Sequence, residues 1–175
     1  NQKDERGRTA LHVAAENGNL DDVKKIIMKG AKVDSTDKEQ RKPLHLAAMN
    51  GQTKVVEMLI TKGVKADATD AFKSTPLHYA AIKGQTNVVE MLITKGANIN
   101  SVDYIHQTPL HHAANNGNLQ IAQLLVNDGA SVTVKDFSNQ TPYQIAATRI
   151  SRNENYKKVA DYLEGIEEKR HNGHK

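Results

Sequence analysis

Histidine is the residue type in this sequence that most readily suggests chemistry, since eight of the 175 residues are His. An imidazole can ligate a metal ion or transfer a proton near neutral pH. Four of the eight, His12, His45, His78 and His111, are separated by intervals of 33 residues. One such residue per repeating unit places successive imidazoles roughly 10 Å apart, whereas the ligands of one zinc ion lie about 2 Å from it. We therefore predict that these four side chains are structural and that the chain has no metal site.

No catalytic or nucleotide-binding motif is complete. Lys73-Ser74-Thr75 resembles the end of a phosphate-binding loop, but that loop needs glycine at the positions of Phe72 and Asp67. The patterns G-x-S-x-G, H-E-x-x-H and G-x-G-x-x-G do not occur. One aspartate per 33 residues fits a turn-capping side chain better than a catalytic carboxylate pair; these are Asp4, Asp37, Asp70, Asp103 and Asp136. We predict that the chain is not an enzyme and that it binds no cofactor.

Composition argues against disulfide-linked, membrane-spanning and nucleic-acid-binding proteins. The sequence has no Cys, as expected of a chain in a reducing compartment, and no apolar run approaches the about 20 residues that span a bilayer. Its 24 basic and 20 acidic residues give a net charge of +4. Residues 100–132 contain no Lys or Arg, so the basic residues do not form a stripe along the chain. We expect a soluble, intracellular protein with no nucleic-acid partner and no membrane insertion.

The sequence repeats itself with a period of 33 residues, and this period decides the architecture. The segment Thr9-Ala10-Leu11-His12 returns as Lys42-Pro43-Leu44-His45, Thr75-Pro76-Leu77-His78 and Thr108-Pro109-Leu110-His111, with Thr141-Pro142-Tyr143-Gln144 as a degenerate fifth copy. A pair of alanines and two glycines recur at the same interval. Segments 51–63 and 84–96 differ only at Lys54 and Asn87.

Each unit predicts two short helices followed by a turn. Thr before Pro supplies an N-cap and a residue preset for the first helical turn, and the helix then passes through the Ala pair to the first Gly. A second helix carries apolar residues at helical spacing, as in Val55, Val56, Met58, Leu59 and Ile60. The second Gly fits a left-handed residue past its end. About eleven residues then return to the next Thr-Pro as a hairpin-like projection, here called a finger, and the units must stack to bury their apolar faces.

The Thr-Pro-Leu-His pattern, the period and the Ala and Gly positions resemble the ankyrin repeat family over residues 4 to about 164. The resemblance implies an all-α ankyrin-repeat solenoid of five stacked helix–turn–helix units with β-turn fingers. We expect the repeats at about 4–36, 37–69, 70–102, 103–135 and 136–164, within a domain of residues 1–164. The resemblance also implies that the recurrent His bonds to backbone groups and links neighbouring fingers. Where the family has a finger Gly in a left-handed turn, this chain keeps Gly7 but otherwise has Gln40, Lys73, His106 and Asn139.

Both ends of the repeat array are predicted to be caps, because polar residues replace apolar ones there. Asp22 and Lys25 stand where inner repeats have Val or Ile and Met or Leu. Glu164 falls where inner repeats have Ile or Val, if about five residues are inserted between the helices of the fifth repeat. Residues 165–175 are expected to form a frayed tail. The two caps predict a complete stack of five repeats with nothing helical before it. Since the chain starts at Asn1 without Met or an apolar leader, we also expect it to be a processed or excised chain.

Apolar residues at and beside the finger tips suggest a binding surface. The resemblance places ligand contacts on the finger tips and on the exposed side of the first helix, which form a concave face. Both Phe residues of the chain fall on finger tips, where exposure to solvent is unfavourable unless something covers them. The expected partner-binding residues are Lys38, Arg41, Met49, Phe72, Ile82, Lys83, Tyr104, Ile105, Phe137 and Arg149, with aromatic anchors inside a polar rim. The alternative is that the finger residues only pack against one another.

The sequence favours a non-catalytic module that binds a folded protein or a peptide through a rigid concave face and its fingers. A second hypothesis is a targeting or regulatory domain of a larger enzyme, channel or microbial effector polypeptide. A third is self-association through the exposed ends of the stack, although we expect a monomer when the chain is free. The resemblance implies a cytoplasmic location and leaves the nucleus or a host-cell cytosol open.

Overall fold

The computed structural model describes residues 2–173, which contain ten α-helices and no β-strand. In chain order the helices are α1 (Ala10–Asn17), α2 (Leu20–Met28), α3 (Pro43–Met49), α4 (Thr53–Thr61), α5 (Pro76–Lys83), α6 (Thr86–Thr94), α7 (Pro109–Asn115), α8 (Leu119–Asn127), α9 (Pro142–Ala147) and α10 (Glu154–Asn172). Helices α1 to α6 lie in one compact unit, Asn1–Asn98, and α7 to α10 lie in a second, Ile99–Lys175. The all-α class with two helices per repeat is as the sequence predicts.

The first helix of each repeat begins where the Thr-Pro pattern predicts. Four N-cap threonines have extended backbone, and each hydroxyl accepts a hydrogen bond from the backbone N–H three residues on, at 3.3 or 3.4 Å. They are Thr9, Thr75, Thr108 and Thr141. Lys42 occupies this position in the second repeat and makes no side-chain cap. Helix α3 therefore lacks a stabilising bond that the other first helices have.

Small and branched side chains hold the three repeats of the first unit together. Helix α3 packs against α1 on one side and α5 on the other, and α4 packs against α2 and α6. The pairs Ala14-Ala15, Ala47-Ala48 and Ala80-Ala81 are buried at the contacts between first helices. Their short side chains let the helix axes approach closely. Leucines such as Leu44 and Leu59 are fully buried, and each contributes about 1.5–3 kcal/mol of hydrophobic stabilisation.

The second unit contains two repeats built in the same way. Helix α7 packs on α9, and α10 packs on α8 and α9. The inserted residues that the sequence predicts in the fifth repeat lie between α9 and α10, in residues 148–153, and also extend the start of α10. The hydroxyl of Tyr156 in this extension donates to Asn115 O at 3.2 Å. The insertion therefore anchors α10 to the end of α7.

Helix α10 continues to Asn172, so the prediction of a frayed tail is wrong for residues 165–172. Residues 174 and 175 of that predicted tail lie outside the described part of the chain. The prediction rested on Gly165, Gly173 and the mixed charge of the segment, and glycine disfavours a helix interior by about 1 kcal/mol. Half-buried Ile166 offsets this cost. Lys169 and Arg170 in the last turn also do so, since positive charge is favourable at a helix C-terminus.

The connections between repeats form the fingers, and each finger turns through one left-handed residue. The backbone angle φ is 77° at Gly7, 59° at Gln40, 56° at Lys73, 63° at His106 and 61° at Asn139. This confirms the left-handed position that the sequence predicts. Four of these residues carry a side chain, for which the left-handed conformation costs about 1–2 kcal/mol. Interactions within each finger must offset that cost.

Polar residues at the first repeat are exposed, as the prediction of a capping repeat requires. Asp22 and Lys25 face solvent, whereas Val55 and Val88 at the first of these positions are buried. Glu164 of the fifth repeat is exposed as well.

Replacing Lys42 with Thr should stabilise the protein. The new hydroxyl would accept the N–H of His45, as the four N-cap threonines do for their own helices, and such a cap contributes about 1 kcal/mol. In a chain of this length that corresponds to a rise of about 2–4 °C in Tm, measurable by circular dichroism. Thr75→Val removes one existing hydroxyl at nearly constant shape and should lower Tm by a similar amount. Unchanged Tm in both variants would contradict the role assigned to the caps.

Candidate functional site

Each finger is organised around one aspartate carboxylate near its start. In the second finger, Asp37 Oδ1 accepts hydrogen bonds from the backbone N–H groups of Glu39 and Arg41, each at 2.9 Å. In the other fingers, the aspartate Oδ1 accepts the same two bonds from the backbone N–H groups two and four residues after it. These aspartates are Asp4, Asp70, Asp103 and Asp136. All of these aspartates except Asp4 are buried. The prediction of a turn-capping aspartate in each finger is confirmed.

The second oxygen of the buried carboxylate has a different partner in each finger. The partners of Oδ2 are Arg41 at Asp37, the Tyr79 hydroxyl at Asp70, His112 at Asp103 and Gln107 at Asp136. Burial and the hydrogen bond to the carboxylate raise the pKa of Tyr79. The turn is thus the same in every repeat, while the side chain that completes it varies.

The recurrent histidine ties the start of one helix to the following finger. Lys42 N–H donates to His45 Nδ1 at 3.0 Å, and His45 Nε2 donates to the carbonyl oxygens of Ala68 and Ser74 at 2.9 and 3.2 Å. Because Nδ1 accepts and Nε2 donates, the ring is neutral, and burial lowers the pKa of His45. Equivalent bonds run from His12 to Arg41 O and from His111 to Gln140 O. For these three histidines, the backbone role that the resemblance implies is confirmed.

Two further sets of bonds join neighbouring repeats, and the sequence analysis did not find them. Gln52 Nε2 donates to Glu16 O, and Gln85 Nε2 donates to Met49 O, each at 3.0 Å. Adjacent fingers are also joined through the backbone, by Lys38 N–H to Arg6 O, Ala71 N–H to Glu39 O and Phe137 N–H to Ile105 O. The signal for the glutamines was present, since both follow the first Gly of a repeat at the 33-residue interval.

Six of the predicted partner-binding residues lie in the first unit: Lys38, Arg41, Met49, Phe72, Ile82 and Lys83. Phe72 is 44 % exposed at a finger turn. The two lysines are exposed, and Met49 and Ile82 are half-buried. The Arg41 side chain is held within its own finger, with Nε 2.8 Å from Asp37 Oδ2 and Nη1 3.2 Å from Glu39 Oε2. Arg41 therefore presents a guanidinium in a fixed orientation.

The other four predicted residues, Tyr104, Ile105, Phe137 and Arg149, lie in the second unit. Tyr104 is 58 % exposed and Phe137 is 75 % exposed, both at finger turns. Ile105 and Arg149 are half-buried. Arg149 Nη1 donates to Ile145 O at 3.1 Å, next to the C-terminal end of α9. The second unit therefore offers two exposed rings and one basic group folded back on its own helix.

Phe137 also stacks on a neighbouring finger. Its ring centroid is 5.4 Å from that of His106, and the two planes are inclined by 16°. His106 Nδ1 donates to Lys135 O at 2.9 Å, which fixes the imidazole beneath the phenyl ring. This contact agrees in part with the alternative that finger residues pack against one another, yet the outer face of Phe137 remains open to solvent. His106 was not among the predicted site residues.

Comparison with protein families gives independent support for the repeat. A family model described as ankyrin repeats in three copies matches residues 11–103, and another, described as ankyrin repeats in many copies, matches residues 97–146. The chain belongs to the ankyrin repeat family. Ankyrin repeats are generally protein–protein interaction modules and are generally non-enzymatic. No curated protein was found to match the chain.

The recurrent polar side chains of this ankyrin chain serve its backbone. Asp37 binds N–H groups of its own finger, and His12 binds a carbonyl group of the same finger from the preceding repeat. The rings of Phe72, Tyr104 and Phe137 and the side chains of Lys38 and Lys83 are instead exposed to solvent. Among residues 2–173, no helix is both long enough and apolar enough to cross a membrane.

Replacing His45 with Gln should reduce the dependence of stability on pH. Burial lowers the pKa of His45 below its unfolded value of 6.5, so the unfolded chain binds more protons as the pH falls through that value, and stability is lost. Glutamine keeps an acceptor and a donor without titrating, as Gln144 does where its Oε1 accepts Thr141 N–H at 2.9 Å. Thermal unfolding between pH 7 and pH 5 should show a smaller fall in Tm for His45→Gln than for the wild type.

His171→Gln is the matched control for this prediction, because the imidazole of His171 is exposed. It should leave the pH dependence of Tm as in the wild type. An equal fall in Tm for the wild type and His45→Gln would show that His45 is not the group responsible.

Proposed function

We propose that this ankyrin domain binds a protein or peptide partner through its fingers and the exposed sides of its first helices. The observation that carries the proposal is the exposure of Phe72, Tyr104 and Phe137, at 44, 58 and 75 %. The sequence has only two Phe, five Tyr and no Trp, so three of its seven large aromatic side chains stand at finger turns. Exposed aromatic side chains are frequent anchors of protein interfaces.

Pre-organisation of the fingers supports the proposal. The backbone N–H groups that precede and follow each turn residue are bonded to a carboxylate, as at Asp70 with Phe72 and Ser74. The finger backbone is therefore ordered before any partner arrives. Ordering a flexible segment during association would oppose binding, so a preformed surface binds more tightly for the same contacts.

The residues around the exposed rings fit an interface with an apolar centre and a polar rim. In the first unit, Met49 and Ile82 add half-buried apolar surface, and Lys38 and Lys83 supply exposed charge. Arg41 adds a cation whose orientation Asp37 already holds. In the second unit, Ile105 and Arg149 are the corresponding apolar and basic residues.

In dilute solution we expect the free domain to be a monomer without catalytic activity. A sequence without Cys is in keeping with a cytoplasmic location, and the nucleus or a host-cell cytosol would suit it equally. The same surfaces would serve whether the partner is a separate folded protein or a peptide segment.

Phe72→Ala and Tyr104→Ala should each weaken partner binding. Peptides selected on the immobilised wild-type chain from a random display library would be titrated calorimetrically against each variant. Loss of a hot-spot ring costs more than 1 kcal/mol, so Kd should rise by at least about fivefold. Both side chains are exposed and at turns, so Tm should be nearly unchanged.

Met28→Ala provides the matched control, since Met28 is 85 % exposed but lies at the end of α2 rather than on a finger. It should leave Kd unchanged. If the selected peptides bound Phe72→Ala and Tyr104→Ala as tightly as the wild type, the finger surface would not be the binding site.

A further inference from the structure

The first repeat lines an open groove to which the second repeat contributes no residue, and the groove has both apolar and polar walls. Ile26 and Leu11 line it together with Lys29 and Lys32. Ile26 is half-buried, whereas Leu59, the residue at the same position in the second repeat, is fully buried. These four residues are here called the repeat-1 end face. It combines the exposed part of Ile26, whose counterpart in the second repeat is covered, with the side chains of two lysines.

The fifth repeat has an acidic counterpart on its own free side. Tyr143 lines a groove with Glu164, Glu167 and Glu168, and the Tyr143 hydroxyl lies 3.4 Å from Glu164 Oε1. These four residues are here called the repeat-5 end face. Glu164 occupies the position at which Ile60 packs in an inner repeat. The repeat-5 end face is therefore aromatic and negatively charged, while the repeat-1 end face is aliphatic and positively charged.

An ion pair inside the first unit shows how such faces meet when two repeats stack. Lys95, at the C-terminal end of α6, lies 3.6 Å from Glu57 Oε1 on α4 of the preceding repeat. Lys29 holds the position of Lys95 in the first repeat, two intervals of 33 residues earlier. The fifth-repeat counterpart of Glu57 is Asp161, which is followed one helical turn later by Glu164. Stacking in the same register would thus bring Lys29 next to carboxylates of a fifth repeat.

We propose that two copies of this chain associate head to tail, with the repeat-1 end face of one copy against the repeat-5 end face of the other. The second copy acts as the next repeat of the array. Ile26 then meets Tyr143, and Lys29 and Lys32 meet the glutamates. The opposite charges select this pairing over contacts between two like faces, which would place like charges together.

A backbone bond of the framework can also be repeated across the proposed contact. His12 Nε2 donates to Arg41 O in the next repeat at 2.8 Å. In the fifth repeat Gln144 takes the histidine position, and its Oε1 accepts Thr141 N–H as His Nδ1 does in other repeats. Its amide N–H₂ is then the donor that corresponds to the histidine Nε2–H. The carbonyl equivalent to Arg41 O in the first repeat is Arg8 O, which likewise accepts the N–H of its finger aspartate, Asp4.

The association is weak and depends on ionic strength. Two helices and a finger per side form a small contact, in the range where complexes are transient. Exposed ion pairs are screened over about 10 Å at 0.1 M salt, so added salt should dissociate the complex. Because the two faces differ, the contact is heterologous and each copy keeps one face open for a further copy. A monomer in dilute solution is the starting state of this equilibrium.

Sedimentation velocity on the full chain tests the proposal through two charge reversals. In low salt and at up to about 1 mM protein, the wild type should show a mean mass that rises above 19.3 kDa. Lys29→Glu and Glu164→Lys, each alone, should weaken self-association by about tenfold or more. An equimolar mixture of the two variants should associate again. Lys29 of the Glu164→Lys variant then meets Glu164 of the Lys29→Glu variant, and the two substituted residues also have opposite charges.

Lys65→Glu is the control for net charge, since Lys65 is exposed and stands in the second repeat where Lys32 stands in the first. It should associate as the wild type does. A wild type that stays monomeric throughout the concentration series would overturn the proposal. So would two variants that remain monomeric when mixed, or a Lys29→Glu variant that associates as tightly as the wild type.

Discussion

Buried carboxylates in the fingers are the constraint on which the rest of this structure depends. Asp37, Asp70, Asp103 and Asp136 are nearly out of contact with water, and an unpartnered carboxylate there would cost several kcal/mol. Each receives two backbone N–H groups and a side chain, and hydrogen bonds to a charged group contribute about 1.5–3 kcal/mol. These bonds hold a left-handed turn that Gln40, Lys73, His106 and Asn139 would otherwise disfavour. They also place the carbonyl group that the histidine of the preceding repeat binds, as at Arg41, so the conformation of a finger and the spacing of repeats are set together.

Such a framework separates the residues that build the domain from those available for binding. The finger amides, the recurrent His and the Ala pairs are occupied within or between repeats, and they repeat because the same backbone geometry recurs. Phe72, Tyr104 and Phe137 have no aromatic counterpart in the first two fingers, which carry charged residues at the same positions. Ordered fingers whose tips differ in residue type fit the proposed binding role, in which the basic residues beside the rings would orient a partner more than they would add to its affinity.

Local sequence predicts the parts of this fold that depend on local backbone sterics. The Thr-Pro pattern predicts where α5, α7 and α9 begin, and the finger spacing predicts the left-handed φ of Lys73 and His106. Two of the missed features depend on residues distant in the chain, the Gln52 bond to Glu16 O and the stacking of Phe137 on His106. The helix through Gly165 was missed because its neighbour Ile166 is half-buried, which the local composition does not reveal. The partner cannot be predicted from the sequence in this way, because many different partner surfaces would complement the same finger tips.

Amide hydrogen exchange of the free chain, resolved by residue, tests most directly whether the fingers are rigid before any partner binds. The N–H groups of Glu39, Arg41, Phe72 and Ser74 should exchange at least about 100-fold more slowly than in an unstructured peptide, because each is bonded to a buried carboxylate. Exchange of these amides at unstructured rates, while helix amides stay protected, would contradict a preformed binding surface.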